Sequence, residues 1–156
     1  MADYITKEGM IHMRERMKDL VEERAEVIKM VVVAREMGDL SENAEYHAAR
    51  ERQRNVENEY NKLVNRSEKL LVIDPATISK ESARFGARVT MEEQNEGSIV
   101  KLQLVGIYEV YDSDDGYART SILSPRGRAL IGKKVGDVVT VKAPRGDMNF
   151  KILIIE

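Results

Sequence analysis

At 156 residues the chain holds one ordinary domain or two small ones. Its 25 Lys and Arg against 27 Asp and Glu give a formal net charge of -2, which excludes a global field drawing it to nucleic acid or membrane, so any polyanion contact is local. No Cys is present, which excludes disulfides and thiolate chemistry and suits a reducing compartment. The start Met1-Ala2-Asp3-Tyr4-Ile5-Thr6-Lys7-Glu8 lacks the basic and apolar segments of a signal peptide, and the apolar runs are too short to span a bilayer. A soluble cytoplasmic protein with no membrane partner is expected.

From Met10 onward, apolar residues fall at Met10, Met13, Met17, Leu20, Val27, Val31 and Ala34, a three-four alternation interrupted by Arg24. This spacing predicts a long helix with one apolar seam, started by Thr6 as cap; Gly9 stands where a glutamate would complete a capping box. In Val31-Val32-Val33 only one or two valines can face the seam, so an exposed valine is expected. Gly38 is a reversal point. Past it, Ala49, Val56, Tyr60, Leu63 and Leu70 continue the seam with Gln53 and Ser67 as polar members, and no Pro or Gly interrupts residues 39–73, so a second helix is expected across that span. Arms of similar length on either side of Gly38 favour an antiparallel hairpin within one chain. Its apex carries Gly38-Asp39-Leu40-Ser41-Glu42-Asn43, placing two carboxylates, Asp39 and Glu42, at the turn. The same spacing also fits a capping box at the start of the second helix.

Asp74-Pro75 ends the helical pattern and opens a connector through Lys80. Beyond it the period becomes two. Strands are predicted over 87–91, 99–105, 117–123, 138–143 and 149–155, separated by turn-forming runs, with one short helix from Pro125 to Leu130. The fold class is therefore α+β: a long antiparallel coiled-coil hairpin over residues 1–75, a linker over 76–80, and a small antiparallel sheet with one short helix over 81–156. Asp112, Asp114 and Asp115 resemble a calcium loop only superficially, because the terminal Glu ligand is missing. Arg126, Arg128, Lys133 and Lys134 form a basic cluster that reads as a solvated loop face.

Two ordered stretches carry a resemblance. Ala34-Arg35-Glu36-Met37-Gly38-Asp39-Leu40-Ser41-Glu42-Asn43-Ala44-Glu45-Tyr46-His47-Ala48-Ala49-Arg50-Glu51 and Ser124-Pro125-Arg126-Gly127-Arg128-Ala129-Leu130-Ile131-Gly132-Lys133-Lys134-Val135-Gly136-Asp137 are similar to the signatures of bacterial transcript cleavage factors of the Gre type, nearest the GreA-like branch. Tyr4-Ile5-Thr6-Lys7-Glu8-Gly9 and Val72-Ile73-Asp74 resemble it as well. The resemblance implies an FKBP-like C-terminal domain that docks at the rim of the secondary channel of RNA polymerase. It also implies a hairpin that enters that channel and stimulates the polymerase's own cleavage of backtracked RNA. In this reading the protein is not itself an enzyme. Asp39 and Glu42 act in the polymerase active site, where they share its Mg2+, and no cofactor is bound stably by the free protein, a monomer. Ser41, Asn43 and Tyr46 support the tip or contact the partner, while Arg35, Arg50, Arg52 and Arg54 steer the RNA 3' end or channel carboxylates. A channel-binding inhibitor on the same scaffold and a non-catalytic coiled-coil adaptor are the alternatives.

Overall fold

The structure is a computed structural model that describes residues 3–38 and 43–156. It divides into two compact units, Met10–Leu70 on one side and Met1–Gly9 together with Leu71–Glu156 on the other. A division of the sequence near residue 75 assigns the opening residues to the hairpin; in the structure residues 3–9 group with the C-terminal unit.

The Met10–Leu70 unit is built from helix α1 (Lys7–Arg35) and helix α2 (Ala44–Lys69). Met10, Met13, Leu20, Val27, Val31 and Ala34 are buried along α1, at the three-four spacing expected of a seam, and Ala49 and Val56 are buried on α2. Three cross-arm contacts establish the antiparallel direction: Arg16 with Glu59, Glu23 with Arg52 and Ala34 with Asn43. The partner number falls as the α1 number rises. Arg24, the interruption in the seam, lies with its guanidinium 5.2 Å from the centre of the Tyr60 ring, so its charge meets a π-face instead of bare hydrocarbon. The exposed Arg16–Glu59 pair contributes at most about 1 kcal/mol, whereas each fully buried aliphatic side chain contributes about 1.5–3 kcal/mol. Burial along the seam therefore outweighs the ion pairs. Of the three valines, Val31 is buried while Val32 and Val33 are exposed.

The second helix stops earlier than the lack of Pro or Gly suggests. Leu70 is extended (φ -91°, ψ 139°) and its N–H donates to the Ser67 carbonyl. Leu70–Ile73 then forms strand β2, which pairs with β1 (Asp3–Thr6) in a two-stranded sheet. A run ending in β-branched Val72-Ile73 needs no helix breaker when a partner strand supplies its ladder.

The larger sheet contains β3 (Arg88–Glu93), β4 (Ile99–Val105), β5 (Ala118–Ser121), β6 (Val138–Ala143) and β7 (Gly146–Ile155), in the order β5-β4-β3-β7-β6. The expected antiparallel pairing holds for β4-β3-β7-β6, but β5 runs parallel to β4. The connection over 106–117 is long enough for the crossover that a parallel neighbour requires. Helix α3 (Pro125–Leu130) starts with Pro125 behind Ser124, whose hydroxyl accepts the Gly127 N–H at 3.1 Å. Gly127 is required by packing, since a Cβ there would stand 2.1 Å from the Ser121 carbonyl oxygen. Leu130, Leu104, Met91, Phe150 and Ile152 are fully buried in the core of the sheet.

The Asp112–Asp115 loop is a clamp for Arg119. Asp115 accepts from both terminal nitrogens of Arg119, at 2.8 and 3.1 Å, from Arg88 at 3.0 Å, and from the Tyr117 N–H at 3.1 Å. Hydrogen bonding to Arg119 holds the Asp115 carboxyl well below the usual carboxylate range. A carboxyl depressed in the folded state contributes stability above its unfolded value, about 3.9, and loses it as pH falls further. Asp115→Asn should lower stability by about 2 kcal/mol at pH 7, and the gap to the parent should narrow only below about pH 4, as read by urea unfolding across pH. A gap that closes between pH 5 and 7 would contradict this assignment.

Candidate functional site

The closed end of the hairpin is assembled from the last turn of α1 and the first of α2. Past Arg35, the Glu36 N–H donates to the Val32 carbonyl at 3.3 Å and the Met37 N–H to that of Ala34 at 3.1 Å. Gly38 then takes φ +131°, a conformation that L side chains rarely adopt, as a reversal point requires. Residues 39–42 follow, so Asp39, Ser41 and Glu42 lie outside the described residues.

Asn43 is the clasp of this turn. Its side-chain oxygen accepts the Tyr46 N–H at 3.0 Å, capping α2, while its amide nitrogen donates to the Ala34 carbonyl at 2.6 Å, across to α1. A neutral Asn supplies both an acceptor and a donor, which an Asp or a Ser could not do in the same geometry. The sequence reading placed Asn43 among tip contacts; the structure adds that it joins the two arms. Asn43 is the N-cap of α2.

Tyr46 is half-buried, its ring centre 5.5 Å from that of His47. Arg50 donates to Gln53, a polar member of the seam, at 2.8 Å. Arg52 pairs with Glu23 at 3.4 Å and approaches the Met30 sulfur at 3.6 Å. Arg35 and Arg54 are exposed. The four arginines are not brought together: Arg50 and Arg54 lie one turn apart on α2, and Arg52, about 200° around the helix from each, is engaged with the other arm. Among the described residues no group of three or more His, Asp or Glu is placed to hold a metal ion. Sequence reasoning passed over an apolar groove of about 500 Å³ beside this end, lined by Met30, Val33, Ala34, Ala48 and Ala49 with Lys29, Glu45 and Arg52 at its edge. The only signal for it was the hydrophobic excess around Val33.

Two family models together cover nearly the whole chain. "Transcription elongation factor, N-terminal" matches residues 3–72, and "Transcription elongation factor, GreA/GreB, C-term" matches residues 78–156. The chain belongs to the GreA/GreB family of transcription elongation factors. It is 40% identical over 152 residues to transcription elongation factor GreA of Acidiphilium cryptum, covering 97% of this chain and 95% of that one. It is 42% identical over 151 residues to the GreA of Solidesulfovibrio magneticus, covering 97% and 90%. Among solved structures it aligns with GreA factor homolog 1 of Thermus thermophilus at 24% identity and a TM-score of 0.46, covering 100% and 99%.

The clasp makes a direct prediction for this GreA/GreB family member. Asn43→Ala should cost about 1 kcal/mol of hairpin stability. Asn43→Asp should keep the cap on Tyr46 but lose the donor to Ala34, so thermal unfolding should place it between the parent and the alanine variant. An aspartate variant as stable as the parent would show that the cross-arm bond contributes nothing.

Proposed function

We propose that the protein inserts its hairpin into the secondary channel of bacterial RNA polymerase and stimulates the polymerase's intrinsic endonucleolytic cleavage of backtracked RNA. Family membership across both halves of the chain supports the polymerase as partner. The observation that carries the rest is the Asn43 clasp. It joins the two arms through the residue that follows Glu42 in the chain, and it caps α2.

The chemistry follows from the donor set. Carboxylate oxygens are hard ligands of the kind Mg2+ takes, and two carboxylates are too few for an all-protein cage, which fits an ion shared with another protein's site. Such an ion would supply a water of lowered pKa and charge stabilisation for the leaving oxygen of the phosphodiester. Asp39 would contribute one ligand to that ion. Glu42 accepts a hydrogen bond from the attacking water, orienting it and taking up its proton. The arms supply reach: at about 1.5 Å rise per residue each helix is roughly 40 Å long. Arg50 and Arg54, one turn apart on α2, present positive charge toward extruded RNA, a contribution that salt would screen. The C-terminal unit docks at the channel rim, and the protein alone carries out no hydrolysis.

Asp39→Asn keeps the size of the side chain and removes the charge. In purified elongation complexes stalled in a backtracked position, the parent should accelerate RNA cleavage, and Asp39→Asn should lower that stimulation by at least about tenfold while still competing with the parent for the complex. Suppression of cleavage by the parent itself would identify an inhibitor, and no effect of either protein would identify an adaptor. Either result overturns the proposal.

A further inference from the structure

Two turns of the C-terminal unit meet at one end of the larger sheet. Strands β3 and β7 are antiparallel neighbours, with Glu93 opposite Phe150, and the Gln94 N–H donates to the Asn149 carbonyl at 2.9 Å. The turn that leaves β3 therefore lies against the tight turn that joins β6 to β7, where Ala143 stands opposite Gly146. Between the two turns is a cleft of about 490 Å³. Glu93, Glu96 and Asp147 line it with carboxylates, Arg145 adds a guanidinium, and Pro144 and Met148 supply an apolar wall.

Glu93 sets this cleft apart. It is 4% exposed, and its Oε2 accepts the Glu96 N–H at 2.5 Å. Its Oε1 accepts no hydrogen bond among the described residues, whereas every fully buried side-chain oxygen among them has a partner. The small exposure of Glu93 therefore includes Oε1, and that oxygen opens into the cleft the residue lines.

Closing the turn does not account for this arrangement. The Glu93 N–H donates to the Ser98 carbonyl at 2.8 Å and the Gly97 N–H to the Glu93 carbonyl at 2.9 Å, so two main-chain bonds already close it, and Oε2 serves the Glu96 amide. One oxygen suffices for that work. The second keeps a carboxylate's charge at the mouth of a largely buried side chain, a cost that is offset only when a cation meets it. Among the described residues no cation does so. Arg145 forms no ion pair with Glu93, Glu96 or Asp147, and Arg126, whose guanidinium lies 5.4 Å from the centre of the Phe150 ring, forms none with Glu93. The acids are also not grouped to hold a metal ion among the described residues. The size of the cleft and its Pro144 and Met148 wall suit a charged head on a methylene stem, and three carboxylates against one guanidinium set the sign of that head.

We infer that this cleft is a docking site for an arginine or lysine side chain of a partner protein, with Glu93 as the buried anchor and the exposed Glu96 and Asp147 at its rim. A guanidinium or ammonium there gains charge-assisted hydrogen bonds from Oε1 while its stem packs on Met148. Arg145, exposed on the same rim, favours a segment in which an acidic residue neighbours the basic one. The site lies wholly within the C-terminal unit and is independent of the hairpin chemistry.

The test is a titration of the isotope-labelled full chain, followed through its amide resonances, with the capped peptide acetyl-Gly-Arg-Glu-Gly-amide at low ionic strength. Saturable shifts should be confined to residues 93–98 and 143–148, with a dissociation constant of about 1 mM. Glu93→Gln keeps an acceptor for the Glu96 N–H and removes the charge, so it should weaken binding by about tenfold. The same peptide with citrulline, a neutral isostere, in place of arginine should not saturate. No saturable shift up to about 20 mM, citrulline bound as tightly as arginine, or a Glu93→Gln chain that binds like the parent would each overturn the inference. Spermidine bound more tightly than the peptide would make this a site for small polyamines and overturn the protein reading. Should Glu93→Gln not fold, Glu96→Gln combined with Asp147→Asn alters only exposed positions and should weaken binding by about threefold or more. Unchanged binding in that chain would overturn the inference equally.

Discussion

Neither arm of this hairpin holds its shape alone. Isolated helices are marginal in water even when rich in alanine, and these two are densely charged, so the apolar seam between them converts two weak helices into one stiff element. The seam runs from Met10 to Ala34 on one arm, and the Asn43 side chain fastens its end by bonding both arms within a single residue. Ion pairs such as Arg16–Glu59 decorate the flanks and contribute little, but they are compatible only with the antiparallel direction.

The seam was legible because a helix writes its buried face into the sequence with a fixed period. The interruption at Arg24 looked like a defect and is a packed member, because its partner, Tyr60, lies on the other arm. The limits of the strands could be read to within a few residues from alternation and turn residues. Three features could not. Strand β1 is four residues long, too short for alternation to register, and it is defined by its pairing with β2. The same pairing overrides the helical continuation expected through Leu70–Ile73. The parallel edge strand β5 follows from the path of residues 106–117, and periodicity carries no information about direction.

At the candidate site, what could be read locally was read. The resemblance singled out the Gly38–Asn43 run, and the left-handed backbone of Gly38 agrees with a reversal there. What escaped was dual use. Asn43 acts on Ala34, Asp115 holds Arg119, and Glu109 reaches Thr6, and each depends on a partner that a linear reading has no means to pair. The vacancy at Gly9 was visible as a missing glutamate in a capping box. Its meaning required knowing that a carboxylate arrives from elsewhere in the fold.

In the proposed function, the turn carboxylates strengthen the hold of the polymerase on a metal ion that it otherwise binds weakly. The most direct measurement is the rate of RNA cleavage in backtracked complexes as a function of Mg2+ concentration, with and without saturating factor. The account predicts that the factor shifts the half-maximal Mg2+ concentration down by about tenfold or more, as an added carboxylate ligand should. A factor that raises the maximal rate and leaves the Mg2+ dependence where it was would contradict it.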